Sequence, residues 1–174
     1  MILLIVDAQT KIVTRELYDY ERFVENVQRL IFTARENGVE VVYIRHDDGT
    51  ELTKGVDGFE IFKAFAPQPN EKIFDKTVNS AFKSSGLNEY LRSKNEKTVM
   101  IAGLQTDYCI DATIKCGFEH NFEMLVPAHC NTTLDNEYMT AEQSYKYYNE
   151  KMWNARYAKC INMQAAIDML GGNL

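Results

Sequence analysis

The chain has 174 residues, 45% hydrophobic and 25% charged, the balance expected of one globular domain, residues 1–174, with a single core. A formal net charge of −6, with Lys and Arg scattered and no basic stripe, argues against nucleic acid as a partner. No apolar run approaches the ~20 residues that span a bilayer, so no membrane partner is expected either.

Residues 2–7, Ile2-Leu3-Leu4-Ile5-Val6-Asp7, read as an apolar strand that ends on a carboxylate. With no basic region and no small-residue cleavage site, this run reads as a strand and not as a signal peptide. Over residues 20–37, Phe23, Val24, Val27, Leu30, Ile31 and Ala34 share one face of an amphipathic helix, and Gly38 fits its C′ position. Residues 39–45 form a second strand. Residues 46–71 show no period and are rich in Asp, Gly, Lys and Pro. A loop that long inside a compact domain is usually functional, often a lid. A short strand is expected at 72–75, then a short helix carrying Leu87, Tyr90 and Leu91, capped by Ser84 or Ser85.

The apolar run Thr98 to Ala102 is the fourth strand, followed by a helix from about Asp107 to Glu119. Residues 123–127 are a fifth strand. Thr140-Ala141-Glu142-Gln143 is a capping-box pattern that opens a helix. Cys160-Ile161 lies in a short last strand, and Met163 to Leu170 is a final helix ending at Gly171. Strands alternating with helices imply an α/β fold, with helices on both faces of a mostly parallel sheet.

In such a fold the ligand crevice lies at the carboxyl ends of the strands, where strand order reverses. With the common order 3-2-1-4-5, Asp7 and Cys109 become neighbours there. Cys109 follows a strand and a tight turn, at the expected start of a helix. Unpaired N–H groups at a helix start favour a thiolate, the nucleophilic form. The other cysteines, Cys116, Cys130 and Cys160, show no zinc spacing, and all four read as free thiols in a reducing cytoplasm. A thiol nucleophile needs a base, an oxyanion hole and a stabilising cation. Asp7 can be the base, backbone N–H groups around Gln105 and Cys109 the hole, and Lys76 the cation.

Three motifs give the chain a resemblance to the isochorismatase-like cysteine hydrolases. They are Leu3-Leu4-Ile5-Val6-Asp7-Ala8-Gln9, then Lys76 with Ser80-Ala81-Phe82, then Gly103-Leu104-Gln105-Thr106-Asp107-Tyr108-Cys109-Ile110-Asp111-Ala112-Thr113. The resemblance implies a three-layer α/β/α sandwich with a six-stranded, mostly parallel, Rossmann-like sheet. It implies an Asp7–Lys76–Cys109 triad and a non-proline cis peptide between Leu104 and Gln105 at the oxyanion hole. On the matched motifs, Gln9, Phe82 and Tyr108 are expected to contact substrate. It also suggests a homodimer or larger homo-oligomer.

The sequence departs from this family in places. Metal-binding relatives carry an Asp-x-His pattern, whereas this chain reads Arg45-His46-Asp47-Asp48-Gly49 after the second strand. His46, Asp47 and Asp48 are all able to ligate, but without that pattern no metal and no other cofactor is expected. His46 is placed at the lid or pocket, His120 at a solvated helix end. His129, at the end of the fifth strand, reads as a backbone cap in preference to a partner of Cys109. Tyr145, Tyr147, Tyr148, Met152 and Trp153 crowd a segment expected to be part core and part subunit contact. The expected activity is hydrolysis of a small amide or carbamoyl-type C–N bond through a Cys109 thioester, with a small molecule as the substrate. The alternative is a non-hydrolytic protein on the same fold that binds a small ligand or senses redox state through Cys109.

Overall fold

The computed structural model describes residues 1–172. Its strands are β1 (Ile2–Val6), β2 (Glu40–His46), β3 (Lys72–Lys76), β4 (Thr98–Leu104), β5 (Glu123–Pro127), β6 (Asn131–Thr132) and β7 (Lys159–Ile161). Its helices are α1 (Tyr20–Glu36), α2 (Leu87–Ser93), α3 (Asp111–Glu119), α4 (Ala141–Lys146) and α5 (Met163–Leu170). The strand order is β3-β2-β1-β4-β5-β7, with all neighbours parallel. The six expected strands are these; the two-residue β6, pairing with the end of β4, makes a seventh.

Every residue of β1 is buried, which explains its unbroken apolar run: a central parallel strand has helices on both faces. Leu3 and Ile5 pack with Phe23, Val27 and Leu30 of α1 and with Leu170 of α5. Ile2, Leu4 and Val6 pack on the other face with Leu91 of α2 and Ile114 of α3. These two cores, one on each side of the sheet, are the three layers.

Local signals act where the sequence puts them. Gly38 takes φ +67° just past α1. Thr140 and Gln143 form both halves of the capping box at α4. At α2 the N-cap is Gly86 and not the expected Ser84 or Ser85, although Ser85 Oγ accepts from the Leu87 N–H one residue on.

Two segments are more irregular than their pattern suggests. The chain enters α3 through a π-helical turn, Thr106–Ile110, and leaves α4 through a second, Tyr147–Trp153. The second turn divides the aromatic segment: Trp153 is fully buried, while Tyr147 is 41% exposed. One glycine is required by contact. Gly103 has φ +131°, and a Cβ there would lie 2.0 Å from the Val6 carbonyl oxygen, so only glycine lets β4 pass β1 this closely. Among the described residues, no helix is long and apolar enough to cross a membrane.

Candidate active site

Four neighbouring strands deliver the site. The register pairs His46, the last residue of β2, with Lys76, the last of β3. Val6 at the end of β1 pairs with Ile44 of β2 and Gly103 of β4. Asp7 follows at φ +51°, an uncommon conformation for a non-glycine residue, and its N–H donates to the Ile44 carbonyl at 2.9 Å. The parallel register therefore puts Asp7, His46 and Lys76 side by side at the carboxyl ends. Cys109 reaches them from the π-helical turn after β4.

The Lys76 ammonium is the hub. Its Nζ lies 2.6 Å from Asp7 Oδ2, 2.9 Å from His46 Nδ1 and 3.3 Å from Cys109 Sγ. An ammonium has three N–H donors, and here it meets three acceptors. His46 accepts only if Nδ1 is unprotonated, which puts the ring proton on Nε2. The Lys76 side chain is wholly buried and Asp7 is 2% exposed. Asp7 Oδ1 is buried with no hydrogen-bond partner among the described residues, which leaves one carboxylate oxygen open to a proton.

The state of Cys109 corrects an expectation. A helix-start thiol was expected to favour the thiolate, yet burial, reinforced by the Asp7 carboxylate, pushes this thiol up to about 12. Lys76 pulls the other way, by less. Cys109 is 7% exposed and sits within the π-helical turn instead of at a solvated helix end. Burial thus favours the thiol over the thiolate, and an attack by sulfur requires that its proton be taken.

A cavity of about 250 Å³ opens onto these groups. Asp7, His46 and Cys109 lie at its floor, with Ile12, Leu52 and Tyr108 among its other walls. Leu104 and Gln105 line it too, and the peptide between them is cis. Asn79 Oδ1 is 3.9 Å from Sγ. Ile12, Asn79 and Leu52 carried no sequence signal for this place. The loop containing Asp48 and Leu52 does border the cavity, as its length suggested.

Two expected substrate contacts are corrected. Gln9 is fully buried, and its amide is spent on backbone: Oε1 accepts from His46 N at 2.8 Å, while Nε2 donates to the His46 and Phe59 carbonyls. It pins the long loop to the end of β2. Phe82 stacks on Phe122 with ring centroids 5.5 Å apart, in the core of the α2/α3 face, and does not line the cavity. Tyr108 does line it and is half exposed. His129 lies away from Cys109, with Nδ1 2.8 Å from Asp19 and its ring stacked on Tyr145.

A buried polar network behind Cys109 is invisible to spacing arguments. Thr106 Oγ1 donates to Asn131 Oδ1 at 2.8 Å, and Asn131 and Asn149 exchange two amide bonds of 3.0 and 3.1 Å. Trp153 Nε1 donates to Asp111 at 2.9 Å. The two π-helical turns are thus tied together through groups that burial would otherwise leave unsatisfied.

The donor atoms do not suit a metal ion. Asp7, His46 and Cys109 each offer an atom within 4.8 Å of the others, but the Lys76 ammonium already stands among them. Asp47 is turned to its own loop, where Oδ1 accepts from Gly49 N and Thr53 Oγ1.

Comparisons with known proteins bear on the family and the fold. The family model described as Isochorismatase domain matches residues 1–156. The chain is 32% identical over 102 residues to the uncharacterized isochorismatase family protein YrdC of Bacillus subtilis, covering 57% of this chain and 54% of that protein. It is 26% identical over 137 residues to a streptothricin hydrolase of Streptomyces noursei, covering 76% and 50%. The chain thus spans about half the length of these two curated relatives. A crystal structure of an isochorismatase family protein superposes with a TM-score of 0.86 at 29% identity, covering 91% of this chain and 96% of that one.

Proposed function

This chain belongs to the isochorismatase family, and we propose that it is a cysteine hydrolase of a small amide or carbamoyl-type C–N bond, with residues 1–174 acting as one domain. The observation that carries this reading is the convergence of Asp7, Cys109 and His46 on the Lys76 ammonium at the floor of a cavity. A redox sensor needs an accessible, low-pKa thiol, and a buried thiol raised to about 12 is poorly suited to that task. A relative named streptothricin hydrolase is consistent with hydrolysis.

The proposed chemistry follows from the resting protonation. As the carbonyl carbon reaches Sγ, Asp7 takes the thiol proton on its open oxygen and sulfur attacks. The oxyanion forms against the backbone amides of Gln105 and Cys109. Lys76 stabilises the negative charge as it passes from Asp7 to sulfur. Asp7 returns its proton to the departing amine, the C–N bond breaks, and a thioester remains on Cys109. Asp7 then takes a proton from water, hydroxide attacks the thioester, and the acid leaves as the thiol is restored. The net reaction is amide plus water to carboxylic acid plus amine, and it calls on no cofactor.

Trapping the intermediate tests the reading. Mixed with a slow amide or ester substrate, the enzyme should gain the mass of one acyl group, located on the Cys109 peptide. Turnover with no acyl-enzyme under burst conditions, or acylation elsewhere, rejects it.

The same reading takes the protein to work in the cytoplasm as a homodimer or larger assembly, with Tyr147 and its neighbours at the contact. The exposed ring at the edge of a segment whose Trp153 is core supports this. Light scattering across micromolar concentrations should return at least twice the 20.1 kDa chain mass. A constant monomer mass refutes it.

A further inference from the structure

The charges around the cavity point to a substrate class. Its charged lining residues are Asp7 and Asp48, and no Lys or Arg lines it among the described residues. Asp7 is balanced by the ammonium of Lys76 behind it, whose three donors are already engaged. Among the described residues Asp48 has no such counterion. Its Oδ1 accepts from Thr50 N at 2.7 Å, Thr50 Oγ1 at 2.9 Å and Leu52 N at 3.0 Å, bonds that hold the carboxyl below its usual range and fix this exposed group within the loop that lines the cavity.

Of the basic side chains close by in sequence, Lys54 does not line the cavity and two others are paired. Arg45 pairs with Asp75 at 2.8 Å and Glu60 at 2.6 Å, and Lys11 faces Glu51 at 3.5 Å. A substrate bearing a carboxylate would find no Lys or Arg among the described lining residues and would meet like charge, in a chain whose formal net charge is −6. A cationic group meets the Asp48 carboxylate and, on another wall of the same small cavity, the half-exposed ring of Tyr108. Carboxylate and aromatic ring both attract an organic cation.

We propose that the cavity selects small amides carrying a cationic group, an alkylammonium or guanidinium, with Asp48 and Tyr108 as the residues that select it. This rests on the cavity being the substrate site of the proposed hydrolase, but the charge preference is measurable without turnover. Methanethiosulfonate reagents with a trimethylammonium, a sulfonate or a bare methyl group label the same thiol while differing in charge. Labelling of Cys109 is followed by peptide mass, and each charged rate is divided by the methyl reagent's rate and normalised to free cysteine. Because all three react with the same thiolate, its resting protonation cancels.

The normalised cation-to-anion ratio should exceed one, by up to about fivefold, the upper end for an exposed charge pair. It should fall towards one in Asp48→Asn, which keeps the Oδ1 acceptor and removes the charge. It should also fall with added salt in the unmodified protein, a control that needs no variant to fold. Among primary amides that are turned over, kcat/KM should rank 4-aminobutanamide above pentanamide above succinamate. A ratio at or below one, a ratio unmoved by both Asp48→Asn and salt, or pentanamide as the best of the three overturns the proposal. A correct charge ratio with no amide turned over supports the preference and counts against the hydrolase reading alone.

Discussion

Cys109→Ala is expected to abolish turnover and leave the fold intact. Removing the nucleophile removes the covalent route entirely, so the loss should be on the order of 10⁴- to 10⁶-fold, as for other nucleophiles that act as part of a unit. The structural cost is small by comparison. Only Sγ is lost, at a position that borders a cavity, and about 1 kcal/mol of stability covers it. The other three cysteines are the internal control. Cys130 is fully buried and touches Met163 Sδ, and Cys116 and Cys160 pack against the α2/α3 core. None of them lines the cavity, so alanine at each should retain activity. Full-rate turnover by Cys109→Ala, with folding verified by circular dichroism, would falsify the mechanism.

Lys76→Met should cost two to three orders of magnitude in kcat, the scale of losing one preorganised charge-stabilising donor. Methionine is close to lysine in volume, so packing is largely kept. What changes is the charge: Asp7 becomes a buried carboxylate with no counterion, which costs several kcal/mol, roughly 3–5. The thermal midpoint should therefore fall along with activity. A second readout separates chemistry from stability. Lys76 is the cation that draws the Cys109 thiol down, so without it the thiol titrates higher still. At pH 9 the thiolate fraction then drops, and alkylation of Cys109 should slow well below the unmodified rate. Lys76→Met that keeps both its kcat and its alkylation rate would remove Lys76 from the reaction.

The sequence carried the α/β alternation, the strand order and the pair Asp7 and Cys109 because those depend on local signals. The apolar runs, Gly38, and the Thr140–Gln143 capping box act over a few residues, and each sits where its pattern put it. Lys76 reads first as the cation that a thiol nucleophile needs and then as part of a matched motif, and the β2–β3 register sets it beside His46. Gln9 and Phe82 misled because a motif says that a residue matters, not which group it serves. The Gln9 amide serves backbone and the Phe82 ring serves the core. The Thr106–Asn131–Asn149 network had no local pattern to find. Its members are separated by 25 and 18 positions, and only the folded packing shows that their polar groups have each other. The raised Cys109 thiol was missed for a related reason: a helix start predicts exposed N–H groups, while burial is set by everything packed around it.

The origin of the working groups on successive strand ends has a consequence for how the site comes into being. Asp7, His46, Lys76 and Cys109 share one small volume, yet they are drawn from across much of the chain and belong to no single hairpin or helix pair. Each long parallel crossover must close before any two of them meet, and such non-local closure is slow. No fragment short of β1 to β4 holds all four groups. The appearance of activity during refolding is therefore a late event, and its loss in denaturant reports cooperative melting of β1 to β4 as a block, with no early, local fraying of the kind a loop-borne site would suffer.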